Sequence, residues 1–144
     1  MYKTILVPID VSKEELTDMV VDHVEMFAGL GKGDVHFIAV VPSLHSFLFE
    51  RFSKKEADSQ EKEIQAIASG DLAEMVEKFD LPNNKLHQHV AIGSAKDEIL
   101  ALAKKINADL IIVGSSSPDM TTYLIGSTAA AVVRHAETSV LVVR

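Results

Sequence analysis

The stretch Lys3-Thr4-Ile5-Leu6-Val7-Pro8-Ile9-Asp10 decides the fold of this 144-residue chain. Its apolar run from Lys3 to Ile9 is strand-like, and a segment of helical periodicity follows it. The alternation recurs, with further apolar runs from Val35 to Val41, Leu86 to Ile92, Leu110 to Val113 and Ser139 to Val143. Strands that alternate with helices are typical of βαβ units. The sequence therefore predicts an α/β fold with a parallel sheet.

Two of these runs indicate the centre of the sheet. Ile5-Leu6-Val7 and Leu110-Ile111-Ile112-Val113 are continuously apolar. Central strands have this pattern because helices cover them on both faces. His87 and His89 alternate with apolar residues instead, which favours a position nearer an edge.

Helical segments are predicted between the strands. Ser12 and Glu15 have the spacing of a capping box, so the first helix is expected to begin there and to run to Gly29. Glycines at 29, 31 and 33 then favour the left-handed turns that end a helix. The other helices are expected from about Asp58 to Phe79, from a Ser94-x-x-Asp97 cap through Ile106, and from near Gly126 to His135.

Composition excludes several classes of function. The formal net charge is −7, from 14 Lys plus Arg against 21 Asp plus Glu, which argues against a general nucleic-acid-binding protein. The chain has no cysteine, so disulfides and thiolate metal centres are excluded. No apolar stretch approaches the roughly 18–20 residues that cross a bilayer, and the N-terminus lacks a secretory leader pattern. We therefore expect one domain, residues 1–144, in the cytoplasm and without a membrane partner.

A ligand site is predicted where the strand order reverses, because open parallel sheets bind ligands at the carboxyl ends of their strands. Asp10 follows the first strand and Gly114 the fourth. A carboxylate there suits ribose hydroxyls, and a glycine lets backbone approach a ligand. Gly126-Ser127-Thr128 opens the next helix, whose free amides suit phosphate. The alternatives are that Asp10 only caps the first helix and that Gly126-Ser127 is an ordinary helix start.

Two connections are longer than the roughly 2–6 residues usual in such folds. The segment from Ser115 to Ile125 follows a central strand and is the first candidate for a ligand loop. The segment from Pro42 to Ala57 contains Phe47, Leu48, Phe49 and Phe52. It is expected to be a flap that packs its aromatic side chains on the domain, or else a lid or a partner surface.

The whole chain resembles the universal stress protein family. The resemblance rests on Lys3 to Asp10, the Val35-His36-Phe37-Ile38-Ala39-Val40 strand, Gly114, Leu124-Ile125-Gly126-Ser127 and Ser139 to Val143. The Pro118-Asp119-x-Thr121-Thr122-Tyr123 loop is similar to the bacterial subgroup of the F and G paralogues. The resemblance implies a Rossmann-like five-stranded parallel sheet, order 3-2-1-4-5, with helices on both faces. It also implies binding of ATP or AMP, and a homodimer that pairs through Ser139 to Val143.

Site residues follow from the resemblance by position. It assigns Asp10 to the ribose, and the backbone of Pro8, Ile9 and Val40 to the adenine pocket. It assigns the phosphates to Gly114, Ser115, Ser116, Ser117, Gly126, Ser127 and Thr128. The family pattern G-x2-G-x9-G-[ST] is altered here in two ways. Ser117 stands where the pattern has its second glycine, and eight residues instead of nine separate this position from Gly126.

Turnover is expected to be slow at most. No lysine or arginine lies between Gly114 and Ala131, although phosphoryl transfer usually needs such a cation. Amides, hydroxyls and Mg²⁺ would then carry the charge of ATP, and Asp119 is either an Mg²⁺ ligand or a turn residue. We predict a nucleotide sensor in the stress response. The alternative is a dimeric interaction module that no longer binds ATP.

Three other patterns have plainer interpretations than a functional site. Gly29-x-Gly31-x-Gly33 follows a helix and precedes a strand, the reverse of a phosphate loop. His87 and His89 share a strand face but lack a third metal ligand at useful spacing. The serines at 115–117 have no G-x-S-x-G elbow and no assignable His-Asp pair, which argues against a hydrolase.

Overall fold

The fold is a five-stranded parallel sheet with helices on both faces, in a computed structural model that describes residues 1–43, 53–115 and 126–144. The strands are β1 (Thr4–Pro8), β2 (Asp34–Val41), β3 (Leu86–Ile92), β4 (Leu110–Gly114) and β5 (Ser139–Val143). The helices of the described ranges are α1 (Glu14–Gly31), α2 (Lys54–Val76), α3 (Ala95–Lys105) and α4 (Ser127–His135), with a 3-10 turn at Asn83–Lys85. The sheet order is β3-β2-β1-β4-β5, so the predicted α/β class and strand order are confirmed.

The core has two layers, one on each face of the sheet. On one face Ile5 and Val7 pack with residues of α1 and α2 such as Val24 and Leu72. On the other face Leu6 packs with residues of α3 and α4, among them Ile99 and Val132. Successive residues of β1 therefore point into different layers, and this explains why its sequence is continuously apolar.

The start of α1 differs from the prediction. Its N-cap residue is Lys13, and no side chain caps the helix. The predicted capping box between Ser12 and Glu15 is wrong, because Ser12 binds the side chain of Asp10, two residues before it, instead of the helix. Its amide and hydroxyl both donate to Asp10 Oδ1, at 3.0 and 2.5 Å. An Asx-type turn at Asp10 thus competes successfully with the serine cap.

The end of α1 also corrects the prediction. The left-handed residue is Lys32, with φ of 50°, and not one of the three glycines. Gly31 and Gly33 are needed for space, since a Cβ at Gly31 would lie 2.0 Å from the carbonyl oxygen of Tyr2 and one at Gly33 would lie 2.7 Å from that of Lys3. The two glycines therefore let the turn after α1 pass close to the start of the chain.

Two further helices begin differently from expectation. Helix α2 begins at Lys54 rather than near Asp58, because Ser53 and Glu56 form a reciprocal capping box. The last residues of the predicted 42–57 flap are thus helical, and its residues 44–52 lie outside the described part of the chain. In α3 Ser94 is the N-cap, but its side chain makes no capping hydrogen bond. The carboxylates of Asp97 and Glu98 in the first turn compensate the helix dipole instead.

Candidate functional site

A cavity of about 840 Å³ opens at the carboxyl ends of β1 and β4. These strands are neighbours, and the chain order reverses between them, since β2 and β3 lie on one side of β1 and β4 and β5 on the other. The volume is within the range of small-molecule sites. The cavity therefore lies where the topology predicts a ligand.

Most of the predicted site residues line this cavity. They are Pro8, Ile9, Asp10, Val40, Gly114, Ser115, Gly126, Ser127 and Thr128. Ser116 and Ser117 lie outside the described residues, as does the rest of the loop up to Ile125. The structure thus brings together residues from the ends of three strands and from the start of α4.

Asp10 shapes a turn and keeps one oxygen uncommitted. Its Oδ1 accepts both hydrogen bonds from Ser12, and its carbonyl oxygen accepts one from the amide of Lys13 at 3.0 Å. The side chain is exposed, and Oδ2 makes no hydrogen bond to any residue that the structure describes. The carboxylate is held in place by the turn, so one oxygen can accept from a ligand hydroxyl.

Gly114 lines the cavity and also has a packing role that was not predicted. A Cβ at this position would lie 3.1 Å from the carbonyl oxygen of Leu16, so the glycine lets the first turn of α1 pack against the end of β4. The next residue, Ser115, donates its amide to the carbonyl of Val143 at 2.8 Å. Its amide therefore extends the β4–β5 pairing, which leaves the hydroxyl as the group that Ser115 can offer a ligand.

The amino end of α4 faces the cavity. Gly126 is the N-cap, and among the described residues no side chain caps the helix. The residues that follow, Ser127, Thr128 and Ala129, line the cavity, and the first turn contains no acidic residue. The uncompensated amides and the positive end of the helix dipole make this the region best suited to an anion.

Sequence reasoning missed two polar residues at the start of α1 that line the cavity, the N-cap Lys13 and Thr17. Lys13 is exposed, whereas Thr17 is 1% exposed and its hydroxyl has no hydrogen-bond partner among the described residues. Their spacing of four residues places both on one face of the helix start. The sequence also did not predict the apolar wall of the cavity, to which α2 and α3 contribute Ile64, Ile67, Ala68 and Ile99.

A histidine cluster lies between β2 and β3. His36 was not predicted there, but the register pairs it with His87, and its Nδ1 lies 2.9 Å from Nε2 of His89. The rings of His36 and His87 stack with centroids 4.3 Å apart, and His87 Nε2 lies 3.3 Å from Asp34 Oδ1. In the described part of the chain, no group of three metal-ligating side chains has an arrangement that could hold an ion.

Burial and mutual repulsion disfavour the charged forms of His36 and His89. Burial, followed by the nearby His87 and His89, lowers the pKa of His36 to about 4. Burial also lowers the pKa of His89, with smaller contributions from His87 and Lys105. The imidazoles of His36 and His89 therefore need more acid than an ordinary histidine before they become charged.

None of the helices in the described ranges is long and apolar enough to cross a membrane.

Comparison with known proteins identifies relatives over the full length. The model of the universal stress protein family matches residues 1–144. Universal stress protein G of Escherichia coli O157:H7 is 40% identical over 144 residues, which is 100% of both chains.

Solved structures share the fold at lower identity. A universal stress protein in complex with cAMP is 21% identical with a TM-score of 0.62, and the match covers 99% of this chain and 97% of that one. The universal stress protein from Archaeoglobus fulgidus in complex with dAMP is 19% identical with a TM-score of 0.58, over 99% and 98% of the two chains.

Proposed function

This chain belongs to the universal stress protein family, and we propose that it binds an adenine nucleotide in the cavity between β1 and β4. The main support for this proposal is that two groups suited to a nucleotide lie in one cavity. The uncommitted oxygen of Asp10 and the uncapped amino end of α4 line the same cavity. A hydroxyl-binding carboxylate and an anion-binding helix end in one pocket match the two polar parts of a nucleotide.

The lining suggests a place for each part of the ligand. Ile9, Val40 and Ile67 provide apolar surface for the adenine ring. The amide of Ile9 is already bonded to the carbonyl of Ile38 at 2.8 Å, so the Ile9 backbone offers its carbonyl oxygen. In this proposal Asp10 accepts from the ribose, and the phosphate lies at Ser127 and Thr128. The cAMP and dAMP complexes of two proteins with this fold support an adenosine monophosphate as ligand.

Binding rather than turnover is the proposed activity. The stretch from Gly114 to Ala131 has no lysine or arginine to stabilise a transferring phosphoryl group. If ATP binds, Mg²⁺ would neutralise much of its charge. We therefore propose a nucleotide-dependent sensor or regulator in the cytoplasm, with slow hydrolysis at most.

The edge strand β5 supports a homodimer. It pairs with β4 on one side, and its central residues Val140, Leu141 and Val142 are half-buried. An apolar edge with unpaired backbone groups favours pairing with another strand. We propose that two copies associate through Ser139–Val143.

Calorimetric titration of AMP and ATP, with and without Mg²⁺, tests the proposed function. The informative variant is Asp10→Asn, which keeps an oxygen that can accept from Ser12 but removes the charge. A hydrogen bond to a charged group contributes about 1.5–3 kcal/mol, so affinity should fall about tenfold or more. Asp80→Asn is the matched control, because this exposed carboxylate does not line the cavity. No measurable binding by the unaltered protein would refute the proposal and favour a nucleotide-independent interaction module.

A further inference from the structure

Among the described residues, one lysine and no arginine line the cavity in which the phosphate of a nucleotide is proposed to bind. We propose that Lys13 binds this phosphate and thereby makes the site prefer an adenine nucleotide to the nucleoside. The inference rests on the proposed function, since it assigns a specificity-determining residue to the same cavity.

The backbone of Lys13 is fixed beside the proposed ribose site. Its amide donates to the carbonyl of Asp10 at 3.0 Å, and its carbonyl accepts from the amide of Leu16 at 3.1 Å. The carbonyl of Leu16 in turn lies against Gly114. The first turn of α1 therefore spans the distance from the proposed ribose site to the end of β4, with Lys13 between them.

The ammonium group of Lys13 is available. The side chain is exposed and lines the cavity, and it forms no ion pair with any carboxylate in the described ranges. Its chain neighbour Glu14 is committed elsewhere, because Glu14 and Asp18 both pair with Lys78. A cation without a local partner can bind a ligand without first breaking an ion pair.

The charges of the cavity lining show why a phosphate would need Lys13. Among the described residues that line the cavity, Lys13 is the only lysine or arginine, and Asp10 and Asp71 are negative. A phosphate group entering this cavity would meet two carboxylates, and the partial charge at the end of α4 is only about half a unit. Lys13 supplies the full positive charge that the loop after β4 lacks.

The test compares AMP with adenosine on matched variants. Adenosine has no phosphate, so removal of the Lys13 charge should weaken only AMP. For Lys13→Ala we expect AMP affinity to fall about threefold to tenfold, a loss between that of an exposed ion pair and a charge-assisted hydrogen bond. Adenosine affinity should change less than twofold. Lys13→Arg should retain AMP binding, and Lys62→Ala, an exposed helix lysine outside the cavity, should behave as the unaltered protein.

Salt dependence provides a second readout by calorimetry. Raising the salt concentration screens exposed charges, so AMP affinity should fall with salt in the unaltered protein and fall less in Lys13→Ala. Equal AMP affinity in Lys13→Ala and the unaltered protein would overturn the inference while leaving the proposed function intact. An equal loss of AMP and adenosine affinity in Lys13→Ala would overturn it as well. If the unaltered protein binds neither ligand, the proposed function itself fails.

Discussion

Acid should destabilise this protein through the histidine cluster at β2 and β3. The pKa of His36 falls from 6.5 to about 4 on folding, so the folded state binds fewer protons than the unfolded state between these values. Stability is therefore complete above about pH 6.5, declines as the pH falls, and levels off near pH 4. The direction of the shift follows first from the burial of His36 and then from repulsion by His87 and His89, whose Nε2 lies 2.9 Å from His36 Nδ1.

The magnitude follows from the size of the shift. A change from 6.5 to about 4 would correspond to roughly 3 kcal/mol for a fully enclosed group. His36 is only partly buried, and water screens its interactions, so we expect a loss of about 1–2 kcal/mol between pH 7 and pH 4.5. Much of this loss should disappear in His36→Gln, which cannot titrate.

Denaturant unfolding at a series of pH values measures this effect. The free energy of unfolding of His36→Gln should depend less on pH than that of the unaltered protein, while the exposed-histidine control His135→Gln should leave the dependence unchanged. NMR titration of the His36 ring gives the pKa directly. A pKa near 6.5 for His36, or identical pH profiles for the unaltered protein and His36→Gln, would refute the reasoning.

Two further predictions concern stability. Gly31→Ala should lower the free energy of unfolding by more than about 2 kcal/mol, since its Cβ would overlap the carbonyl of Tyr2. Gly29→Ala has open space and should stabilise α1 by up to about 1 kcal/mol, so thermal melting should move in opposite directions for the two variants. Equal shifts would contradict this account of the turn. Ser53→Ala removes one half of the capping box of α2 and should cost about 1 kcal/mol in chemical unfolding; an unchanged midpoint would show that the cap contributes nothing.

The strands could be predicted because their signal is local and strong, whereas their order was an expectation from the family resemblance. Every predicted strand end lies within one residue of the observed end, since apolar runs bounded by polar residues are hard to misplace. Helix starts were harder to predict. Ser12 has the pattern of a cap, but Asp10 lies close enough to bind it first. Sequence spacing alone does not show which of two competing acceptors a serine meets.

In the candidate site too, the residues with a local sequence pattern could be predicted, and the contacts that depend on packing could not. Asp10, Gly114 and Gly126 could be found because they follow strands or precede a helix at the edge where ligands bind. The packing role of Gly114 was not predicted, since its close approach to Leu16 depends on how α1 packs. Lys13 was missed for the same reason, and His36 was missed because lateral strand register is not visible in one strand's sequence.

The most direct test of nucleotide binding at this site is an NMR titration of ¹⁵N-labelled protein with AMP. If AMP binds there, we expect saturable shifts of the amides of Gly114, Ser127 and Thr128, which line the cavity at the carboxyl end of β4 and the start of α4. We expect little change at His87 and His89, which do not line the cavity. Spectra that AMP leaves unchanged, or shifts confined to residues outside the cavity, would contradict the account.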